Sequence, residues 1–449
     1  AYSDDKAGKF IWEVLSQTLI YAANRIPEIA DDLVNIDRAM KWGFGWELGP
    51  FEIWDMLDPV RSVQRMVKEG KNVPAWVKEM LQTEHPFFYR VQDKKQWYYS
   101  LPDKKHQPVP EIPKQIQPKL QGVRVKKNWS ASIYDINDGV AFLDFHSVLK
   151  ADMNPVDGSM LDMMADMIEW IPAQSFKGLI ISSLGPNFSV GANLQMILEL
   201  SRAKNWKAIE QLSKTFQDIT QNLRFAPFPV VTAPFNITLG GGFEISAASD
   251  RIVASAELYC GAVEVGVGLI PGAGGNLRVL MNFLNSMGKM RPGPFPPVQK
   301  AFETIGFAKV STSAKEAVKL GYLKRSDTIV INPDHLIYEA KQAALQLAEN
   351  YQPPKEREDL LLPGMDGFLV IKDSLQNYVK QGKISEHDRL VGEKLAWVLC
   401  GGDKASFTHP VREQDILDLE REAFVSLCGE KLSQDRMKHM LKTGKALRN

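Results

Sequence analysis

Phe235-Asn236-Ile237-Thr238-Leu239-Gly240-Gly241-Gly242-Phe243-Glu244 is the stretch that decides the fold. Three consecutive glycines close a short apolar run, and a carboxylate follows two residues after the last of them. Small residues come next, Ile245-Ser246-Ala247-Ala248-Ser249, of the kind that let a helix pack closely. Glycine has no Cβ, so a ligand can approach its backbone N–H. A helix that starts near Gly242 or Phe243 points its first N–H groups outward, and its dipole favours negative charge there. Donors fixed in that way stabilise an enolate or another oxyanion. Tight backbone packing or a plain turn also calls for consecutive glycines, so the stretch acquires a function only together with its surroundings.

Outward from it, residues 133–280 read as α/β. Short apolar runs at 140–145, 179–182, 230–233 and 252–255, bounded by turn residues, predict buried strands. Helical stretches at about 158–170 and 206–225 separate them, which predicts strand–helix units. Residues 283–298 carry four prolines and two glycines and are expected to form an inserted surface loop. Beyond Ser313, a natural N-cap, the chain is mainly helical, with a break at Gln352-Pro353-Pro354. Helical spacing returns at 415–427 and 435–441.

Residues 1–95 read as helical. Phe10, Ile11, Val14, Leu15, Thr18 and Leu19 fall on one mainly apolar face of a first helix, which Pro27 ends or bends. A second helix spans about 28–41 with Leu33, Ile36 and Met40 inward, and Gly43 and Gly45 punctuate its end. Pro50 suits the first turn of the next helix, and Asn72-Val73-Pro74 opens another. Residues 96–132 then become rich in proline and lysine, the signature of an extended linker. Its end, Arg124 to Lys127, is also placed to help hold an anionic ligand. Trp97-Tyr98-Tyr99 is most simply a packing cluster.

Two glutamates carry the chemistry. Glu244 sits among Phe243, Ile245 and alanines, and Glu264 among valines and glycines, leading into Gly266-Val267-Gly268-Leu269-Ile270-Pro271-Gly272-Ala273-Gly274-Gly275. A carboxylate in an apolar setting costs several kcal/mol unless it is paired or neutralised. Two carboxyls that converge can share a water, one taking its proton while the other protonates a substrate carbon. Either glutamate alone would more simply be a surface or salt-bridge residue. The loop Asn187-Phe188-Ser189-Val190-Gly191-Ala192-Asn193-Leu194 follows a strand, contains glycine and leads into a helix, so it can supply a second oxyanion donor. Nucleotide-binding glycine motifs are excluded: Pro271 and Leu277 stand where Gly-x-Gly-x-x-Gly needs glycine, and there is no Gly-Lys-Ser/Thr.

The totals agree with a multidomain globular protein. The 449 residues are enough for two or three domains, and 44% hydrophobic with 24% charged is a globular composition. Basic and acidic residues balance at 54 each, against a nucleic-acid partner. Cys260, Cys400 and Cys428 are few, odd in number and widely spaced, which suggests a reducing compartment without a disulfide framework. Cys260 reads as a small buried residue. No apolar run reaches membrane-spanning length, and the N-terminus lacks a signal-peptide core. The seven histidines show no metal-ligand spacing and read as surface or capping residues. A cytoplasmic location is expected. The first residue is not methionine, from Met removal or because the sequence is cut from a longer protein.

The 187–194 loop, the Gly240–Glu244 frame and the Glu264–Gly275 run, in that order, resemble the enoyl-CoA hydratase (crotonase) family over about 133–350. The resemblance implies a ClpP/crotonase-like α/β spiral of ββα units and trimers formed through C-terminal helices. It also implies an oxyanion hole from the N–H groups of Ala192 and Gly241 for a thioester carbonyl. Glu244 and Glu264 would hold and activate the water that adds across a 2,3 double bond. Asn193, Leu194 and Gln195 would line the CoA loop, and Gly272 would contact substrate. Asn193 stands where the family commonly has Asp.

Separately, Asn35-Ile36-Asp37-Arg38-Ala39-Met40-Lys41-Trp42-Gly43-Phe44-Gly45-Trp46-Glu47-Leu48-Gly49-Pro50-Phe51-Glu52 resembles the all-α C-terminal domain of 3-hydroxyacyl-CoA dehydrogenases, over about 1–95. The NAD site and catalytic His–Glu pair of that family belong to a preceding Rossmann domain, which this sequence does not contain, so no cofactor is expected here. The expected layout is a helical domain at 1–95, a linker at 96–132, a crotonase-like domain at 133–350 and a helical C-terminal extension at 351–449 without an evident chemical role. It suits the C-terminal part of a fused β-oxidation protein. The leading expectation is hydration of trans-2-enoyl-CoA by a homo-oligomer whose partner is the acyl-CoA thioester. The alternatives are an enoyl-CoA isomerase, which needs one carboxylate, and a non-catalytic acyl-CoA-binding scaffold for the dehydrogenase half.

Overall fold

A computed structural model describes residues 1–288 and 293–449, in two units, Ala1–Pro113 and Lys114–Asn449. In the first unit the helices Lys6–Asn24, Leu33–Phe44, Pro50–Met56, Pro59–Lys68 and Ala75–Met80 precede three antiparallel strands. The strands are β1 (Tyr89–Gln92), β2 (Lys95–Ser100) and β3 (Lys105–Pro108), paired in that order. Short polar side chains start the helices: Asp5, Asp32 and Asp58 each accept from the backbone N–H three residues on. Gly45 ends the second helix at φ 67°, and Pro50 opens the third, as expected. The second helix begins at Leu33, later than its apolar pattern suggested, because Asp32 provides the cap.

Two expectations for this region are corrected. The segment is not all-α, and the proline-rich stretch after residue 95 is not an unstructured connector, since β2, β3 and the later strand Val123–Lys127 lie in it. Pro108 closes the edge strand β3, where a missing N–H costs little. Tyr99 is buried, with its N–H donated to the carbonyl of Phe88. The inward face of the first helix also differs. It buries Gly8, Trp12, Ser16, Leu19, Ala22 and Ala23, leaving Phe10 70% exposed and Val14 49% exposed. Trp12 decides the rotation. Its Nε1–H donates to Glu69 Oε2 at 2.7 Å, and the Arg65 guanidinium lies 4.2 Å from the ring centre. Phe51, Trp54, Trp76 and Phe88 pack ring on ring to form the centre of this unit.

In the second unit β4 (Val123–Lys127), β5 (Ala131–Asp135) and β6 (Val140–Phe145) run antiparallel to one another. β7 (Gly178–Ser183), β8 (Val230–Thr232), β10 (Arg251–Ser255) and β12 (Thr328–Val330) then continue the sheet in parallel. The order is β12-β10-β8-β7-β6-β5-β4. A second ladder pairs β9 (Asn236–Leu239) with β11 (Leu258–Gly261) in parallel, and Ser189 bridges to Thr238 at its side. Each turn of chain thus gives one strand to the large sheet and one extended piece to the small ladder. The helices Gly158–Ala173 and Trp206–Arg224 precede β7 and β8 as expected. β6 and β7 are buried throughout, as continuous apolar strands in a covered parallel sheet must be.

Residues 283–298 are not the expected surface loop where the structure describes them. Phe283 to Met287 complete the helix Gly275–Met287, with Phe283 and Leu284 buried, and the helix Phe295–Ile305 begins inside the segment. Its prolines fall in the first turn, where a missing N–H breaks no helical bond. Residues 289–292 lie outside the described part. The tail forms the helices Gly364–Lys380, Glu386–Cys400, Glu413–Cys428 and Lys431–Thr443. Residues from this tail and from the Gly275–Met287 helix share one apolar core. The cysteines are free and buried, among them Cys260.

Candidate active site

The triple glycine ends β9 and opens the helix Gly241–Ala247, with Gly240 at φ 54° before it. The 187–194 loop is fastened along β9. Ser189 N–H donates to Ile237 O at 3.1 Å, and Leu239 N–H donates back to Ser189 O at 2.9 Å. Gly191, at φ 95°, lies so close that a Cβ there would meet Gly241 N at 2.7 Å. Only glycine permits this approach. A Cβ on Gly241 would in turn come within 3.3 Å of Ala192 N, so the two expected donor N–H groups are neighbours. Among the described residues neither N–H is taken by a protein acceptor.

Both expected carboxyls reach this place. Glu244 is buried on the helix Gly241–Ala247, and its Oε1 accepts the N–H groups of Ala273 and Gly275, each at 2.8 Å. Glu264 begins a 3₁₀ turn, Glu264–Val267, after β11. Its Oε1 would lie 3.0 Å from a Cβ on Gly240, whose carbonyl accepts the Glu244 N–H. Gly240 thus touches the Glu264 carboxyl and starts the helical turn that carries Glu244. Glu264 Oε2 is removed from solvent and has no hydrogen-bond partner among the described residues. Burial raises the proton affinity of both. Glu264 is pushed up to about 7, and Glu244 well above its ordinary value, with the negative charge of Glu264 adding to the effect of burial. Two interacting carboxyls with raised proton affinity lose their protons in separate steps, so one can donate while the other accepts.

Of the other expected residues, Asn193 caps the helix Leu194–Arg202 through Oδ1, which accepts Met196 N–H at 3.2 Å. Leu194 and Gln195 form its first turn, and Gln195 is exposed. Gly272 precedes the Ala273 amide that Glu244 holds. Its carbonyl accepts Ser213 Oγ–H at 2.6 Å, and a Cβ there would strike the Phe424 ring at 2.8 Å. The basic run Arg124–Lys127 is edge strand, with Lys126 paired to Asp166 at 3.0 Å. No cluster of His, Cys, Asp and Glu suited to a metal occurs among the described residues, and no helix there is long and apolar enough to cross a membrane.

The tail, which carried no chemical role in the sequence, supports the site directly. Glu420, fully buried on the helix Glu413–Cys428, accepts from Gly274 N–H at 2.7 Å and from Asn276 N–H at 3.1 Å. Gln217 Nε2 and Asn276 Nδ2 supply two more donors, at 3.0 and 2.8 Å. Burial nevertheless pushes Glu420 up to about 7. Ser433 Oγ–H donates to Gly268 O at 2.6 Å, and a ring nitrogen of His387 lies 2.9 Å from the same hydroxyl. His387 is buried, unlike the surface or capping role expected of the histidines. One signal was available in the sequence. Glu420 interrupts the apolar stripe Ile416, Leu417, Ala423, Phe424, Leu427 of an amphipathic helix, where a lone charge needs a reason.

Residues 135–288 match the family model described as Enoyl-CoA hydratase/isomerase. The chain is 42% identical over 453 aligned residues to a "Probable 3-hydroxyacyl-CoA dehydrogenase" of Bacillus subtilis, covering 100% of this chain and 56% of that protein. It is 25% identical over 441 residues to a "Putative fatty acid oxidation complex trifunctional enzyme" of Rickettsia felis, covering 98% and 54%. Among solved structures, an enoyl-CoA hydratase from Bacillus halodurans is similar with a TM-score of 0.47 and 15% identity, over 69% of this chain and 99% of that one. The chain thus spans about half the length of the curated relatives it matches.

Proposed function

We propose that this chain hydrates trans-2-enoyl-CoA thioesters to 3-hydroxyacyl-CoA in fatty acid β-oxidation. The observation that carries the proposal is a carboxyl pair at the glycine turn: Glu244 is buried, Glu264 lies against Gly240 with one oxygen removed from solvent, its charge acts on Glu244, and the next residue, Gly241, offers its N–H beside that of Ala192. In the reaction the thioester oxygen accepts those two N–H groups. As water oxygen bonds to C3, one carboxylate takes its proton, the C2=C3 electrons move toward the carbonyl and the oxygen becomes an enolate anion. The N–H pair stabilises the charge that develops there. The other carboxylic acid protonates C2, the enolate collapses to the thioester, and one water has been added without oxidation or reduction. A pair that shares its proton can do both transfers in one turnover.

Two similarities support the pathway: the family match at 135–288 and the likeness to proteins named for 3-hydroxyacyl-CoA dehydrogenase and fatty acid oxidation. On the same grounds we propose a parent polypeptide that also oxidises 3-hydroxyacyl-CoA, with NAD bound outside these residues, and a cytoplasmic homo-oligomer. Crotonyl-CoA decides the first step: the folded protein should lower the absorbance of its conjugated thioester to an equilibrium value. If several chain lengths leave that absorbance unchanged while a 3-enoyl-CoA is converted, the reaction is isomerisation and hydration is wrong.

A further inference from the structure

Four consecutive amides, those of Ala273, Gly274, Gly275 and Asn276, point alternately at two carboxyls. Ala273 and Gly275 donate to Glu244 Oε1, each at 2.8 Å. Gly274 donates to Glu420 Oε1 at 2.7 Å and Asn276 to Glu420 Oε2 at 3.1 Å. Successive peptide planes share their Cα atoms, so neither set of donors can turn without the other. We propose that Glu420 is a positioning residue of this site: by holding the Gly274 and Asn276 amides it aims the Ala273 and Gly275 amides, and so fixes where the Glu244 carboxyl presents its second oxygen. The proposal rests on the hydratase reading of Glu244.

The chemistry of the contact demands a carboxylate. Glu420 Oε1 receives Gly274 N–H and Gln217 Nε2–H, and Oε2 receives Asn276 N–H and Nδ2–H. Each oxygen faces two donors. A glutamine of the same shape must turn its NH2 group toward one of those donor pairs, and the resulting repulsion moves the loop. The helix itself stays anchored by Ile416, Leu417, Phe424 and Leu427 in the apolar core. The charged groups whose fields meet Glu420 are Glu244 and Glu264, across the loop, and Arg278 on the helix that follows it.

The test is Glu420→Gln, with rates normalised to the fraction of protein that binds acetyl-CoA. The expected result is a loss of about 100-fold in kcat with KM for crotonyl-CoA within about 3-fold, since a misplacement of about 1 Å costs that much. The pH–rate profile should also move to lower pH, because a negative neighbour of Glu244 and Glu264 has gone. A kcat within about 3-fold of the parent, or a loss confined to KM, or an unmoved profile, overturns the proposal. Should Glu420→Gln fail to fold, Gln217→Ala removes one of the four donors, and a kcat loss of about 3- to 10-fold is expected where no change overturns the idea. If the parent itself does not hydrate enoyl-CoA, the hydratase reading has failed, and the crystal structure of Glu420→Gln decides the rest. Displacement of Glu244 Oε1 from the Ala273 and Gly275 amides supports the positioning role, and an unchanged loop refutes it.

Discussion

Both units bury carboxyls, and the two sets differ in what their oxygens meet. Burial pushes Asp37 and Asp55 in the first unit up to about 7, the same level as Glu264 in the second. Yet Asp37 accepts the N–H groups of Phe51 and Glu52 and the hydroxyl of Tyr89. Asp55 accepts the N–H groups of Phe88 and Tyr89, so every oxygen of both aspartates has a donor. Glu264 Oε2 is buried without one among the described residues. Raised proton affinity alone therefore does not separate a working acid from a staple that ties chain segments together. The place of Glu264 does, its carboxyl against Gly240 with one oxygen left open; an open oxygen is not enough by itself, since Asp144 Oδ2 is also buried without a partner among the described residues.

Breaking the working pair should have the largest effect. Glu244→Gln and Glu264→Gln should each lower the hydration rate by about 10³-fold or more, with little loss of melting temperature. Stopped-flow or steady-state decay of crotonyl-CoA absorbance measures it. A near-normal rate in either variant removes that residue from the mechanism. The staple should respond the opposite way. Asp37→Ala leaves the Phe51 N–H and the Tyr89 hydroxyl without their acceptor, which costs about 2–4 kcal/mol in the first unit. Amide exchange of the Leu33–Phe44 and Pro50–Met56 helices reads that loss. Turnover per folded molecule should stay within about 2-fold of the parent. A specific loss of turnover would show that Asp37 is more than a staple.

How much of this was legible in the sequence depended on where the partners lie. Strands β6, β7, β8 and β10 showed as apolar runs because a covered parallel sheet needs no polar face. Asp157, Asn205 and Ser313 announce helix starts through contacts within three residues. The strands β1 to β3 were hidden because their pattern is mixed and proline-rich, and only the packing of Tyr99 and Phe88 makes a sheet of them. The first helix was misread because Phe10 and Val14 outweigh Ser16 and Ala23 on any apolarity scale, while Glu69 and Arg65, far along the chain, fix Trp12 inward. At the site, the Glu244–Glu264 spacing and the glycines were visible. Glu420 showed only as a lone charge in an apolar stripe, and its role was hidden because it meets Gly274 across 146 residues of chain.

The comparison also sets a pH dependence. A carboxyl with a folded pKa near 7 against an ordinary 4.5 holds its proton more tightly in the native state. The stability linked to that proton is therefore complete below about pH 4.5 and is lost as the pH rises through about 7. Glu264→Gln cannot ionise and should escape this loss. Urea unfolding at pH 8 should find the variant about 1–3 kcal/mol more stable than the parent, and at pH 4.5 the two should agree. Equal stability at both values would mean that Glu264 ionises freely in the folded protein, and the contrast with an ordinary surface acid would vanish.

The smallest effect is expected at Asn193, where the sequence departs from the Asp common in the family it resembles. In the structure Asn193 Oδ1 accepts Met196 N–H and caps the helix that follows the Ala192 donor. Asparagine and aspartate cap about equally well, so Asn193→Asp should leave stability within about 0.5 kcal/mol and the hydration rate within about 2-fold. Asn193→Ala loses the cap at a cost of about 1 kcal/mol. Because the freed turn begins one residue after Ala192, that variant should also raise KM for crotonyl-CoA more than it lowers kcat. A loss of 100-fold or more in kcat for Asn193→Asp would instead place this side chain among the groups that touch the reacting atoms, and the boundary between staple and working residue would have to be redrawn on this loop.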